Sequence, residues 1–172
     1  FRSIGLLLFL PLWAHAQVYS GSNAALSMEV SGGSIAVSTS AVAGRYLAER
    51  QALYLMVQSN TLSPSAAADE KKFLTENLAI EKNPALSFQV DLADISLSAS
   101  PEMKEVQVPV KFRFNGQERE LSGRFVGSLY EERFVVSLTV NVDVTAYGIE
   151  NATQPNVVFQ LKGALKNITQ RQ

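Results

Sequence analysis

Residues 73–88 read FLTENLAIEKNPALSF, and this stretch decides the fold. Its first half has helix-forming composition, and its second half passes through Asn83-Pro84 into alternating apolar and polar residues. A proline pushes the residue before it out of the helical conformation, so the helix must end before Pro84 and a strand follows. The rest of the chain shows mostly the alternating pattern that is typical of strands. The sequence therefore predicts a mainly β protein with one helical insertion near residues 64–82.

Strand alternation extends far beyond this stretch. In residues 106–114, apolar side chains occupy every second position, opposite Lys111 and Arg113. Asn115-Gly116 follows, and this dipeptide is a strong hairpin signal because both residues tolerate positive φ. Counting such runs gives roughly eight strands. An antiparallel sheet with one apolar and one polar face tends to close into a barrel, since closure removes exposed edges. We therefore expect an eight-stranded antiparallel barrel.

The inward register of the predicted strands bears on whether the barrel is hollow. Gly123, Gly127 and Gly163 fall on the inward face, and Arg119 shares that register near the start of its strand. Inward glycines leave room for strong curvature or for something packed close to the backbone, and they favour a hollow interior because glycine adds no side-chain volume. An eight-stranded barrel has the size at which side chains either fill the interior or leave room for one small ligand. The sequence leaves both alternatives open.

The strand predicted at residues 53–57 has apolar residues on both faces. Leu55 and Val57 mark one face, and Tyr54 and Met56 mark the other. A strand with this composition is typically covered on both sides. We therefore expect a second element of structure against its outer face.

The first 16 residues resemble a targeting segment rather than part of the fold. Arg2 precedes an apolar run at residues 4–13, and Ala14-His15-Ala16 supplies a small-x-small cleavage site. The run is too short to span a bilayer, which takes about 20 apolar residues. We expect a signal peptide at residues 1–16, a single domain at residues 17–172 whose small, polar residues 17–25 form a loose lead-in, and a periplasmic or secreted protein without an integral membrane segment.

Composition argues against several classes of function. The chain has 15 basic and 16 acidic residues, so it lacks the basic character of nucleic-acid-binding proteins and we expect no nucleic-acid partner. It has no Cys, and its one His, His15, lies in the predicted signal peptide. Without His and Cys, a mature chain has no Ser-His or Cys-His nucleophile and none of the common zinc or copper ligands. We expect no metal and no cofactor.

Close pairs of carboxylates are the remaining candidates for catalytic groups. They are Asp91 and Asp94, Glu118 and Glu120, and Glu131 and Glu132. A glycosidase needs two carboxylates flanking its sugar site. Such pairs are far more often solvated at turns and on outer faces, so we expect no enzyme. A hydrolase that uses carboxylates remains a third hypothesis.

The order and spacing of four segments resemble the YceI-like family of exported bacterial proteins. Residues 73–88 are similar to the family's helix, its acidic-Lys-x-Pro turn and the strand entered from it. Residues 108–125, VPVKFRFNGQERELSGRF, are similar to its hairpin, with Asn115 where the family usually has His. Residues 137–149, SLTVNVDVTAYGI, resemble its late strand and aromatic-Gly-Ile segment, and residues 42–62 its early hairpin.

This resemblance implies a lipocalin-like barrel that is polyisoprenoid-binding and non-catalytic. The ligand would be a long apolar chain of the polyisoprenoid, isoprenoid quinone or fatty acyl type, held by burial of apolar surface. A homodimer is one option for the assembly. The alternative is a filled barrel that acts as a structural or protein-interaction module. The ligand-binding residues that we expect are Leu55, Val57, Phe73, Leu78, Phe88, Val90, Val110, Phe112, Phe125, Val136, Leu138, Phe159 and Leu161.

Overall fold

The computed structural model describes residues 17–22, 24–62, 67–97 and 104–169. The predicted signal peptide at residues 1–16 and residues 64–66 of the predicted insertion lie outside this part of the chain. The strands are β1 Val18–Gly21, β2 Leu26–Gly32, β3 Ile35–Thr39, β4 Val42–Leu47, β5 Ala52–Gln58, β6 Ala85–Asp91, β7 Val106–Phe114, β8 Gln117–Leu129, β9 Arg133–Asp143 and β10 Asn156–Asn167. One α-helix, α1, spans Ala68–Asn77, and short 3-10 helices span Ser59–Thr61 and Val144–Tyr147.

The strands form a closed antiparallel barrel. From β4 to β10 each strand pairs with the next one in the chain, and β1 closes the circle by pairing with β4 and β10. β1 and β2 both pair along β10, so they act as one bent strand. β3 and β4, which pair with β2 and β1 respectively, form the next bent strand. The barrel thus has eight strands, and the predicted fold with its helical insertion is confirmed.

The lead-in predicted at residues 17–25 is wrong, because it contains the strand that closes the barrel. Tyr19 pairs with Asn167 of β10 on one side and with Tyr46 of β4 on the other. Backbone hydrogen bonds close the sheet here, and the small, polar side chains give no sign of them. The Tyr19 side chain is buried, so one large ring supplies the apolar contact of this short strand.

Turn chemistry sets the register of the later strands. Asn115 and Gly116 have φ of 49° and 71°, which confirms the two-residue hairpin between β7 and β8. Pro109 lies in β7 and has no N–H to donate. The pairing of β6 with β7 ends at Val90 and Val110, one residue short of this proline. Pro109 therefore marks the end of the β6 ladder.

The two ends of the barrel are closed differently. At the end where β1 begins, the rings of Tyr19, Tyr46 and Phe134 pack together with centroids 4.7–6.3 Å apart. The Tyr19 hydroxyl donates to the carbonyl oxygen of Tyr130 at 3.0 Å. At the other end, α1 runs between the end of β5 and the start of β6. This second end carries the candidate site.

The sequence predicted a second element of structure against the outer face of β5, and this prediction is wrong. Tyr54 and Met56 point away from the interior, and Met56 exposes 56% of its surface. The chain instead places α1 across the end of the barrel, where it contacts β3. The apolar residues on the second face of β5 therefore border solvent.

Candidate functional site

The residues predicted to bind a ligand come together in one apolar cluster. All of them belong to the buried core, and each exposes only 0–3% of its surface. Leu55 and Val57 lie on β5, Phe88 and Val90 on β6, Val110 and Phe112 on β7, Phe125 on β8, Val136 and Leu138 on β9, Phe159 and Leu161 on β10, Phe73 on α1 and Leu78 directly after it. Strand alternation thus identified the inward face of six strands.

Aromatic rings fill the part of the interior nearest α1. Phe112 is the centre of this group: its ring centroid lies 4.7 Å from that of Phe88, 5.2 Å from Phe159, 5.4 Å from Tyr147 and 5.9 Å from Phe114. We call these five residues the aromatic cluster. Such ring pairs contribute about 0.5–1.5 kcal/mol each beyond their buried area. The cluster therefore fills this part of the predicted binding region with mutually contacting rings.

The interpretation of the inward glycines as free space is wrong. A Cβ on Gly123 would lie 2.8 Å from Val110 Cγ2, and one on Gly127 would lie 2.5 Å from Phe125 Cζ. Side chains from the same and neighbouring strands therefore occupy the volume that each glycine leaves. A Cβ on Gly163 would lie only 2.1 Å from the backbone oxygen of Ala25. These glycines allow close packing.

Helix α1 is fixed across the end of the barrel by apolar contacts. Phe73, Leu74 and Leu78 are buried, and the Phe73 ring lies so close to Gly32 that a Cβ there would be 2.6 Å from Phe73 Cε2. Gly32 lies at the tip of the β2–β3 hairpin, on the far side of the barrel end from β6. The helix therefore spans the opening.

A buried asparagine, which the sequence interpretation missed, ties α1 to the connection between β9 and β10. The side-chain oxygen of Asn77 accepts from the Gln154 backbone nitrogen at 2.7 Å. Its Nδ2 donates to Thr153 Oγ1 and to the Phe73 carbonyl oxygen, both at 3.2 Å. The sequence feature that could have indicated this role is a polar residue on the apolar face of the helix, between Leu74 and Leu78. Two of its three partners, Thr153 and Gln154, however, lie more than 70 positions away.

Replacing this asparagine tests how firmly α1 is held. We expect Asn77→Ala to lower the free energy of unfolding by about 1–3 kcal/mol, because the partly buried Gln154 N–H loses its acceptor and the buried amide loses all three hydrogen bonds. Urea unfolding would measure the loss. Thr75→Ala is the matched control, since its hydroxyl bonds the Lys71 carbonyl on the exposed face of the same helix. Equal losses in the two variants would contradict the proposed tie.

Polar groups gather beside the aromatic cluster at the same end of the barrel. Arg119 pairs with Phe112 and so shares the inward register, as predicted, yet it is exposed at the rim. Its guanidinium carbon lies 5.6 Å from the centroid of the Tyr147 ring. Asn115 Nδ2 donates to the Tyr147 carbonyl oxygen at 2.7 Å and fixes the backbone that carries this ring. Burial raises the pKa of the Tyr147 hydroxyl, and the nearby Arg119 charge opposes that shift.

Other titratable groups lie away from this end or on the outside. Burial also raises the pKa of Tyr19, with Glu131 adding to the shift, and that of Tyr46 at the opposite end. Hydrogen bonds from the Thr145 hydroxyl and backbone lower the pKa of Asp143, which caps the second 3-10 helix.

The carboxylate pairs lie on the exposed surface of the described chain. Asp91, Asp94, Glu118, Glu120, Glu131 and Glu132 are all exposed. This agrees with the expectation that they are solvated at turns and on outer faces. Within the described ranges, no group of three or more acidic residues or histidines is placed to hold a metal ion. In the same ranges no helix is long and apolar enough to cross a bilayer.

A closed barrel with an apolar interior, and with a helix across one end, defines the class of fold to which this chain belongs. Among solved structures it is similar to a polyisoprenoid-binding domain from Saccharophagus degradans implicated in plant cell wall breakdown, with a TM-score of 0.68 and 13% identity. That likeness covers 89% of this chain and 99% of the domain.

A second similar structure is BcnA from Burkholderia cenocepacia, with a TM-score of 0.55 and 6% identity over 86% of this chain and 95% of BcnA. No family model matches the sequence. No curated protein matches it either. The two structures support the resemblance to the YceI-like family at the level of the fold.

Proposed function

We propose that this chain is an exported, non-catalytic binding protein whose barrel takes up a long apolar ligand. The observation that carries the proposal is the interior: every strand of a closed barrel contributes apolar side chains to one continuous cluster. The fold that it shares with a polyisoprenoid-binding domain supports the choice of ligand class. The apolar run at residues 4–13 and the Ala-His-Ala site support export to the periplasm or cell exterior.

Uptake of a chain requires movement in the aromatic cluster. The interior side chains have almost no accessible surface, so a ligand must displace inward rings such as Phe112. Burial of apolar area favours the exchange by about 0.8 kcal/mol for each CH₂ removed from water. A chain of about ten buried carbons would thus contribute about 8 kcal/mol against the lost ring contacts. Because the burial free energy grows with the length of the chain, long ligands are favoured over small ones.

The packing also favours a second candidate, a filled barrel that serves as a structural or protein-interaction module. Gly123 and Gly127, the positions where space would have been expected, are covered by Val110, Phe125 and their neighbours. A well-packed interior of this kind has the density of an ordinary protein core. Ligand measurements separate the two candidates.

Native mass spectrometry after mild purification tests the leading proposal. We expect an added mass that organic solvent extracts as a polyisoprenoid, quinone or fatty acyl compound. Delipidated protein should then bind oleate or a C20 isoprenoid alcohol. A protein that is repeatedly empty and takes up neither probe would contradict the proposal and favour the second candidate, the filled barrel.

The outer surface offers a control for this measurement. A groove of about 370 Å³ lies on the outer faces of β4–β7 and is bordered by Met56, Tyr54 and Lys111. Apolar molecules could adhere there without entering the barrel. Met56→Gln should therefore leave binding unchanged, whereas loss of binding in this variant would place the ligand on the outer face.

A further inference from the structure

The hydroxyl of Tyr147 is buried without a hydrogen-bond partner among the described residues. The residue exposes 1% of its surface, and its ring packs on Phe112 and Phe114 within the aromatic cluster. A buried hydroxyl without a partner is unfavourable, and phenylalanine in the same place would avoid that penalty. A ligand atom that enters this end of the barrel and forms a hydrogen bond with the hydroxyl would therefore remove the penalty.

Arg119 supplies a positive charge at the same place. Its guanidinium lies over the Tyr147 ring, and in the described part of the chain no carboxylate lies within 4.0 Å of it. Its neighbours Glu118 and Glu120 fall on the opposite face of β8 by strand alternation. Among the residues that the structure describes, the charge at the rim is thus left without an acidic partner.

A third polar side chain completes a group of hydrogen-bond donors. Gln117 shares the inward register, because it pairs with Phe114, and its Oε1 accepts from Arg119 at 3.4 Å. Its amide nitrogen is directed to the side of Gly148, where an added Cβ would lie 3.6 Å from it. A tyrosine hydroxyl, an amide and a guanidinium are suited to a group that accepts hydrogen bonds and carries negative charge.

We propose that Tyr147 and Arg119 anchor the headgroup of the ligand, and that the ligand is a single-chain amphiphile with a carboxylate or phosphate head. The headgroup would lie at the α1 end, and the apolar chain would extend into the barrel past the aromatic cluster. This inference rests on the proposed binding function. It goes further by naming the anionic class of ligand and the residues that select it.

Matched C18 probes test the anchor by isothermal titration. They are oleate, oleyl phosphate and oleyl alcohol, with decylubiquinone as a neutral acceptor. We expect the wild-type protein to bind the two anions about 10- to 100-fold more tightly than the alcohol, as expected for a charge-assisted contact. Arg119→Gln should remove this preference and leave the affinity for the alcohol unchanged. Arg113→Gln, on the outward face of β7, is the charge-matched control and should change nothing.

Tyr147→Phe adds a readout that a structural role would not give. We expect weaker binding of every probe with a urea midpoint that is unchanged or raised, because the variant removes only a buried hydroxyl that has no partner in the described part of the chain. A lowered midpoint with unchanged affinities would overturn the anchor and make the hydroxyl structural.

The remaining outcomes separate the anchor from the proposed function. Equal affinities for oleate and oleyl alcohol, unaffected by Arg119→Gln, would overturn the anchor and leave binding intact. Decylubiquinone that binds as tightly as oleate would show that the headgroup need not be anionic. Failure of all four probes would overturn both proposals.

Discussion

Phe112→Ala should lower the free energy of unfolding by about 3–5 kcal/mol, the range observed when buried aromatic side chains are truncated to alanine. Phe112 lies at the centre of the aromatic cluster and is completely buried. Its removal takes away transfer free energy and leaves a cavity that the rigid strands of a closed barrel cannot collapse to fill. The surrounding Phe88, Phe159 and Tyr147 also lose their ring contacts with Phe112.

Urea unfolding followed by far-ultraviolet circular dichroism would measure this loss. Met56→Ala is the control, because Met56 is the most exposed large apolar side chain in the described part of the chain and its truncation should change stability by less than about 0.5 kcal/mol. A loss below about 1 kcal/mol in Phe112→Ala would contradict the packed interior, since it would imply that the ring borders empty space.

The same variant discriminates between the two candidate functions. If the barrel takes up apolar chains, added oleyl alcohol should restore part of the lost stability by binding the native state in proportion to RT ln(1 + [L]/Kd). If the interior belongs to a filled module that admits no chain, the cavity should remain closed to a C18 probe and the midpoint should not move.

The sequence predicted the features that depend on local periodicity. Alternation with a period of two put Val110 and Phe112 on the inward face of β7, and Pro84 correctly separated the helix from β6. Asn115-Gly116 fixed a hairpin because its backbone requirement is local. Features of this kind follow from residues within one or two positions of each other.

The sequence could not predict contacts between distant segments. Whether an inward glycine leaves a void depends on what the rest of the barrel brings to it: Val110 fills the place beside Gly123, and Ala25 approaches Gly163 from far along the chain. The hydrogen bonds of Asn77, and the burial of a Tyr147 hydroxyl that has no partner among the described residues, likewise depend on contacts between distant segments. The sequence therefore identified which side chains face inward but not how tightly they pack.

The bent strand made by β1 and β2 has a sterically demanding point, and a single glycine in β10 accommodates it. β10 pairs with β2 as far as Gly163 and Leu26, and with β1 from Lys166 onward. Between these points the backbone oxygen of Ala25 accepts from the Ala164 nitrogen at 3.1 Å. Gly163 has a φ of 152°, which side chains rarely allow.

Gly163→Ala should therefore be strongly destabilising. Its Cβ would lie 2.1 Å from the Ala25 oxygen and 2.8 Å from Leu26 Cα, so backbone must move where the barrel closes. Backbone strain of about 1–3 kcal/mol adds to an overpacking penalty of about 1–3 kcal/mol, giving a loss of about 2–6 kcal/mol. Thermal unfolding and hydrogen exchange of the β1 and β10 amides would measure the loss and locate it.

Gly116→Ala separates the two contributions to this loss. Gly116 also has positive φ, at 71°, but nothing lies within 4 Å of the position where its Cβ would be. That variant should lose only the strain of the turn, about 1 kcal/mol. The excess loss in Gly163→Ala then measures the approach of the Ala25 backbone. Because that approach lies where β10 passes from β2 to β1, exchange should increase first in β1, whereas an equal loss in both variants would mean that the barrel closes without this contact.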